Sequence, residues 1–305
     1  MVPWEIPPLY KHIGAGFIFS KINYEVDKMK KKMALILGML VMVGSIFVGC
    51  GNSSKVNSDG VAIEPNSIEA IKEKGKLVMG TSADFPPNEF HIMVDGKDTI
   101  VGFDIEIAKY IAEKLEVELE IKDMEFNNLL GGLSTGMLDM VISGMVEKPD
   151  RDANFTKPYD VGGIHKILIR KSDKDKYGSK EDLNGAVIGA QTASIQKEMA
   201  DDIEGAEVRE LPLINTLIME LKTEKIDALV MSNESSSSYA ESNDDIMVIE
   251  AIELKHESSG ASIALKTGND DLTEYINGIV DELIEKGLVE KWKAEAKALS
   301  DQEIK

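Results

Sequence analysis

Arg151 is the residue whose type and position point most directly to chemistry. It closes the stretch GFDIEIAKYIAEKLEVELEIKDMEFNNLLGGLSTGMLDMVISGMVEKPDR, which begins at Gly102 and carries Gly144 shortly before the arginine. A guanidinium is a planar fork that can hold both oxygens of a carboxylate at once. Ser194, in the run QTASIQ, stands where a helix is expected to begin, so its hydroxyl and the unpaired amides of the first turn form a second anion-binding element. Taken singly, a surface ion pair for Arg151 and an ordinary helix cap for Ser194 are the plainer readings.

These residues need elements to position them. Ala108, Ile111, Ala112 and Leu115 recur at helical spacing behind Asp104, the expected cap, and Val117, Leu119 and Ile121 then alternate as in a strand. Leu129, Leu130 and Leu133 form a short helix face, Gly136 supplies a stop, and Met140 to Ile142 are an apolar run suited to a buried parallel strand. Arg151 thus follows the C-terminal end of a strand, the edge of an open α/β sheet where ligands bind.

The pattern occurs twice. Leu133, Leu138, Asp139, Met140, Val141 and Ile142 are echoed at identical spacing by Leu221, Ile226, Asp227, Ala228, Leu229 and Val230. LVMG from Leu77 and AVIGA from Ala186 open the two units. Two α/β lobes of similar topology are expected. With 305 residues, 43% hydrophobic and 29% charged, the chain is long enough for both and is not generally disordered. Its net charge of −20, without a basic stripe, argues against nucleic acid.

The N-terminus sets the compartment. Lys28, Lys30, Lys31 and Lys32 precede an apolar run from Met33 to Val48, of signal-peptide length and short for a membrane span. Gly49 and Cys50, the lone cysteine, follow, and then the polar stretch GNSSKVNSDG. This arrangement resembles a bacterial lipoprotein signal, with Phe47 where leucine is usual, a leader cleaved elsewhere or a short uncleaved anchor being the alternative. Residues 1–28 are expected to be a spurious upstream extension, 29–49 the signal peptide, Cys50 the lipidated residue and 50–64 a flexible tether. The histidines at 12, 91, 165 and 256 have no metal-ligand spacing, and no GxSxG, Walker or dinucleotide fingerprint occurs in a strand-to-helix context. No metal and no cofactor are expected.

Several motifs in order, LVMGTSADFPPNEF, VGFDIEIAKYIAEKL, LSTGMLDMVISGM, PDR, NFTKPYD, VIGAQTASIQ, IDALVM and SIALKTGNDDLTEYINGIVDELIEKGLVEKW, resemble the polar amino-acid family of extracellular solute-binding proteins over roughly Leu77 to Trp292. The resemblance implies the type II periplasmic-binding-protein fold: two Rossmann-like lobes joined by two hinge crossings, near Asp160 to Ile164 and Leu254 to Ser259. Lobe 1 would be residues 65–162 and 257–305, lobe 2 residues 163–256. The implied partners are an amino acid or derivative, the permease and ATPase of an ABC importer, and the membrane through the lipid anchor. The implied site has Arg151, Ser194 and the loops around Gly144 and Thr192 on the ligand carboxylate, with Phe85 packing on the ligand and Phe126 as a second wall or a core residue.

The departures matter. Ser232 stands where the family carries an acid for the ligand ammonium, Val146 where a threonine assists the carboxylate, and Glu147 where the family is apolar. Asp84, Glu234 or Glu147 would then replace the acid, or the ligand is not an ordinary α-amino acid. Ser82, where binders of cationic amino acids tend to have aspartate, points away from lysine or arginine. The serines 235–238 read as a solvated helix start or loop, with a ligand contact as the alternative. The rival functions are a cyclohexadienyl-dehydratase-like enzyme using Glu147 or Glu234, and the sensing domain of a receptor.

Overall fold

The computed structural model describes residues 67–258 and 260–303. The leader, Cys50 and the tether lie outside the described residues. Helix α1 (Ile68–Lys74) starts on Ser67, whose hydroxyl accepts from the Ala70 amide, and delivers the chain to β1 (Lys76–Thr81). A small antiparallel sheet follows, β2 (Asp84–Phe85), β3 (Glu89–Val94) and β4 (Lys97–Val101). Then come α2 (Phe103–Leu115), β5 (Glu118–Asp123), α3 (Leu129–Ser134), β6 (Met140–Val141) and β7 (Asn154–Phe155). The chain next builds β8 (Ile164–Arg170), β9 (Val187–Gln191), α4 (Ile195–Asp201), β10 (Glu207–Leu211), α5 (Ile214–Lys222), β11 (Ala228–Ser232), α6 (Asn233–Ser242) and β12 (Ile246–Lys255). It ends with β13 (Ala264–Leu265), α7 (Asp270–Glu285) and α8 (Leu288–Glu303).

Two five-stranded sheets result, ordered β5-β1-β6-β13-β7 and β10-β9-β11-β8-β12. In each, the first three strands are parallel and the next is antiparallel to them. The chain leaves the first sheet after β7 and returns to it at β13, so two segments cross between lobes. The duplication read from the sequence extends to single atoms. Asp139, just before β6, accepts from the Val78 amide at 2.7 Å and Asp227, just before β11, accepts from the Val187 amide at 2.9 Å. A Cβ on Gly80 would lie 2.3 Å from Leu138 Cδ1, and one on Gly189 would lie 2.5 Å from Ile226 Cδ1. In both lobes a glycine on the first strand therefore admits the large apolar residue that precedes the aspartate.

Each sheet buries apolar side chains. Val78, Leu129, Leu133, Leu138 and Val141 pack in lobe 1; lobe 2 packs Ile167, Ile169, Ile188 and Val230 in one cluster and Leu168, Leu217, Leu221 and Leu229 in another.

Two expectations are corrected. Gly102, not Asp104, is the cap residue of α2, and Asp104 lies inside the first turn, fully buried. Its carboxylate accepts from the Gly144 amide and the Tyr159 hydroxyl, each at 2.9 Å, so it fixes the loop after β6 and not the helix end. The serine run is not solvated either. Ser235, Ser236 and Ser238 are buried in α6, and the Ser238 hydroxyl lies 3.1 Å from that of Ser300 on α8. Their small side chains let α6 approach α8 closely.

Candidate functional site

The loop from Ser143 to Arg151 follows β6, as the sheet-edge argument requires. Gly144 adopts φ +53, a left-handed conformation glycine takes without strain, and its amide is held by Asp104. Arg151 folds back across the cleft. Its Nη1 donates to the Val146 carbonyl, its Nη2 donates to the Ala193 carbonyl of lobe 2 at 3.0 Å, and its guanidinium carbon lies 5.7 Å from the centre of the Phe126 ring. No carboxylate among the described residues pairs with it, and burial lowers its pKa. A desolvated guanidinium held only by neutral carbonyls is ready for an anion. Ala193, which faces it, holds φ +64, a conformation costing an alanine about 1–2 kcal/mol.

Two adjoining cavities follow the cleft. Arg151, Phe85, Phe126, Gly144 and Val146 line the first, together with Ser82, Glu89, Ser143, Gln191, Ile195 and Gln196. Phe85, Gly144, Val146, Ile195 and Gln196 also line the second, which continues to Asn88, Asp160, His165, Ser232, Glu234 and Lys293. Phe85 and Val146 belong to lobe 1 by sequence yet pack against the two apolar clusters of lobe 2, so the lobes are in contact along the cleft. Lys148 and Glu198 add an ion pair across it.

Four expected residues, Ser194, Thr192, Asp84 and Glu147, line neither cavity. Ser194 caps α4: its hydroxyl accepts from the Lys197 amide at 3.2 Å and donates to the Gln191 carbonyl at 2.7 Å, and its own amide donates to that same carbonyl. Ile195 and Gln196, just beyond it, are the residues that reach the cavities. Thr192 lies alongside, its amide bonded to the Leu211 carbonyl. Asp84 is buried, and its carboxylate accepts from the Ile214 amide of lobe 2 at 2.7 Å, while the Tyr239 hydroxyl donates to its carbonyl at 2.8 Å. Burial, with some help from the Asp123 charge, pushes Asp84 up to about 6.

Of the other acids, Glu147 is exposed and lines no cavity. Glu234 lines the second cavity and pairs with Lys293 at 3.6 Å, while Asp160 holds the same lysine at 2.8 Å. Ser232 is the cap of α6; its hydroxyl accepts from the Ser235 amide and donates to the Ser235 hydroxyl.

Glu89 was not expected. It is fully buried and lines the first cavity; Oε1 accepts from Ser143 Oγ at 2.7 Å, and Oε2 is buried without a partner among the described residues. Burial, then the neighbouring Asp104 charge, push its pKa well above the ordinary carboxylate value. It makes no ion pair with Arg151, so one cavity presents a guanidinium and a carboxyl group apart. No cluster of metal-ligating side chains and no helix long and apolar enough to cross a membrane occurs among the described residues.

Residues 77–295 match the family model of bacterial extracellular solute-binding proteins, family 3. The chain belongs to that family. This solute-binding protein is 32% identical to the arginine-binding extracellular protein ArtP of Bacillus subtilis over 87% of its own length and 97% of the relative's. It is 27% identical to the L-cystine-binding protein TcyJ of Escherichia coli, covering 74% and 85%. Among solved structures, the substrate-binding protein AbpA of Streptococcus pneumoniae bound to L-arginine is similar at 35% identity and TM-score 0.73, covering 77% of this chain and all of that one. The ancestral amino-acid-binding protein AncCDT-1, a precursor of cyclohexadienyl dehydratase, is similar at 26% identity and TM-score 0.66, covering 75% and 98%. These neighbours share the two-lobed type II architecture.

Proposed function

We propose that this protein captures a basic amino acid, arginine foremost, between its lobes and passes it to the permease and ATPase of an ABC importer. The observation that carries this reading is the pairing of Arg151 with Glu89 in one cavity walled by Phe85 and Phe126. A ligand with a carboxylate at one end and a cation at the other meets both groups. The carboxyl group missing at Ser82 is supplied from β3 instead: the Ser82 amide donates to Ser143 Oγ, which in turn donates to Glu89. Arginine binding by ArtP and AbpA favours the same ligand class.

The protein acts without turnover, anchored through Cys50 to the outer face of the cytoplasmic membrane, in the periplasm where an outer membrane is present. A calorimetric panel of amino acids on the full-length protein tests the ligand. Arginine or lysine should bind most tightly, with compaction in small-angle scattering and no chemical change by mass spectrometry. Preference for neutral amino acids would refute the basic-ligand reading, and conversion of the ligand would favour the dehydratase-like one.

A further inference from the structure

The second cavity has features that an amino acid held by Arg151 and Glu89 does not use. The five residues shared by the two cavities, Phe85, Gly144, Val146, Ile195 and Gln196, carry no charge. When the side-chain cation of such a ligand occupies Glu89, its α-nitrogen, two bonds from the carboxyl carbon on Arg151, is left to this uncharged wall. An ammonium there has no anionic partner, whereas an amide N–H needs only a neutral acceptor.

The charges lie further along. Ala261 bridges Val146 on one side and Asp160 on the other. With neighbouring strands about 4.8 Å apart, the Asp160 backbone lies roughly 10 Å from that of Val146. Asp160 and Glu234 together outweigh Lys293, so this end favours a cation. His165 supplies an independent observation. It is 8% exposed and lines the cavity, and its Nδ1 is buried without a hydrogen-bond partner among the described residues. Burial and the nearby His256 hold its pKa down to about 4, so the ring is neutral and carries one donor and one acceptor.

Building on the basic-amino-acid reading, we propose that the preferred ligand is a dipeptide with a basic C-terminal residue, whose N-terminal residue occupies the second cavity. Its C-terminal carboxylate lies on Arg151 and its basic side chain at Glu89. The peptide N–H meets the uncharged wall, the added residue lies beside His165, and the free ammonium faces Asp160 and Glu234.

Calorimetry on the full-length protein with L-arginine, glycyl-L-arginine, Nα-acetyl-L-arginine and L-arginyl-glycine tests this. Glycyl-arginine should bind at least tenfold more tightly than arginine, and arginyl-glycine more weakly than either. His165→Ala should weaken glycyl-arginine at least fivefold and leave arginine unchanged. Ser232→Asp, which keeps a good helix cap and adds a charge, should narrow the preference by strengthening arginine. Arginine binding more tightly than glycyl-arginine would overturn the dipeptide while leaving the basic-ligand reading intact. Acetyl-arginine matching glycyl-arginine would overturn the role given to Asp160 and Glu234, and absence of binding by all four would overturn both readings.

Discussion

Asp84 offers a test of closure that is separate from ligand contact. Helix α5 begins after Leu213, whose side chain cannot cap it, and the Ile214 amide finds its acceptor on the opposite lobe. Removing such a cap costs about 0.5–2 kcal/mol. Opening the lobes breaks this bond, so the cost falls on the closed state alone. Where free protein is mainly open, Asp84→Ala should therefore raise Kd by roughly 2- to 30-fold near pH 4, where the carboxyl enters the closed state uncharged, without any lost ligand contact. The charge adds a pH dependence. A carboxyl whose pKa is about 6 when closed and 3.8 when exposed binds more protons in the closed state between those values. Its contribution to closure is thus greatest below about pH 4, falls as pH rises through 6 and is level above. Two pKa units at about 1.36 kcal/mol each set the scale at about 3 kcal/mol. Asp84→Asn retains an acceptor oxygen and cannot ionise, so it should bind at pH 7 as tightly as wild type or more so. Titration of other groups, Glu89 included, is common to both proteins and cancels in the comparison. Isothermal calorimetry from pH 4 to 7.5, with small-angle scattering to report closure, gives the result. An Asp84→Ala Kd within twofold of wild type at the low end of that range, or identical pH profiles for wild type and Asp84→Asn, would refute the reasoning. A large loss in Asp84→Asn confined to ligands bearing an ammonium would instead make Asp84 a ligand contact.

Arg151→Ala should weaken binding by about 2–5 kcal/mol, roughly thirtyfold to several thousand-fold, because it strands a carboxylate in a dry cleft; unchanged affinity in a folded variant would move the site. Glu89→Gln should weaken arginine by about 1.5–3 kcal/mol and spare neutral amino acids. A cation and a proton compete at Glu89, so arginine affinity should fall as pH drops through its raised pKa; an affinity that stays level as pH falls into the carboxylate range would exclude Glu89 as the cation's partner. Cys50→Ala should free the processed protein from the membrane in its host, and persistence in the membrane fraction would exclude lipidation as the anchor.

The parts of the molecule legible in the sequence are those set by local periodicity. The repeated apolar-Asp-apolar run marks the third strand of each lobe, because a buried parallel strand and the aspartate preceding it answer to neighbours on the same sheet. Arg151 was legible because it follows such a strand. Glu89 was not: in β3 the residues at 90 and 92 face inward, and alternation groups Glu89 with exposed His91 and Met93. Its burial comes from Ser143 and the cleft, more than fifty residues away in the chain. Asp84 was singled out as a substitute acid for the ligand, but its bond to Ile214, like the part played by Lys293, was hidden for the same reason, since each is a contact between distant segments. Asp104 sits at a helix start, where an aspartate ordinarily caps, but Gly102 already begins the helix. The serine run read as polar because composition alone does not reveal that α8 covers it.

The seam between α6 and α8 has a mechanical consequence. Two joints between two bodies define an axle, and turning about that axle is the freedom they leave. The chain segments passing between the sheets are such joints. Ser238 against Ser300, with Lys297 reaching Glu241 at 3.3 Å, is a third attachment outside both crossings. It adds a hydroxyl contact and an ion pair to the two crossings, and so stiffens the molecule against that turning. Helix α8 therefore braces the two lobes against each other as well as closing the fold of its own lobe.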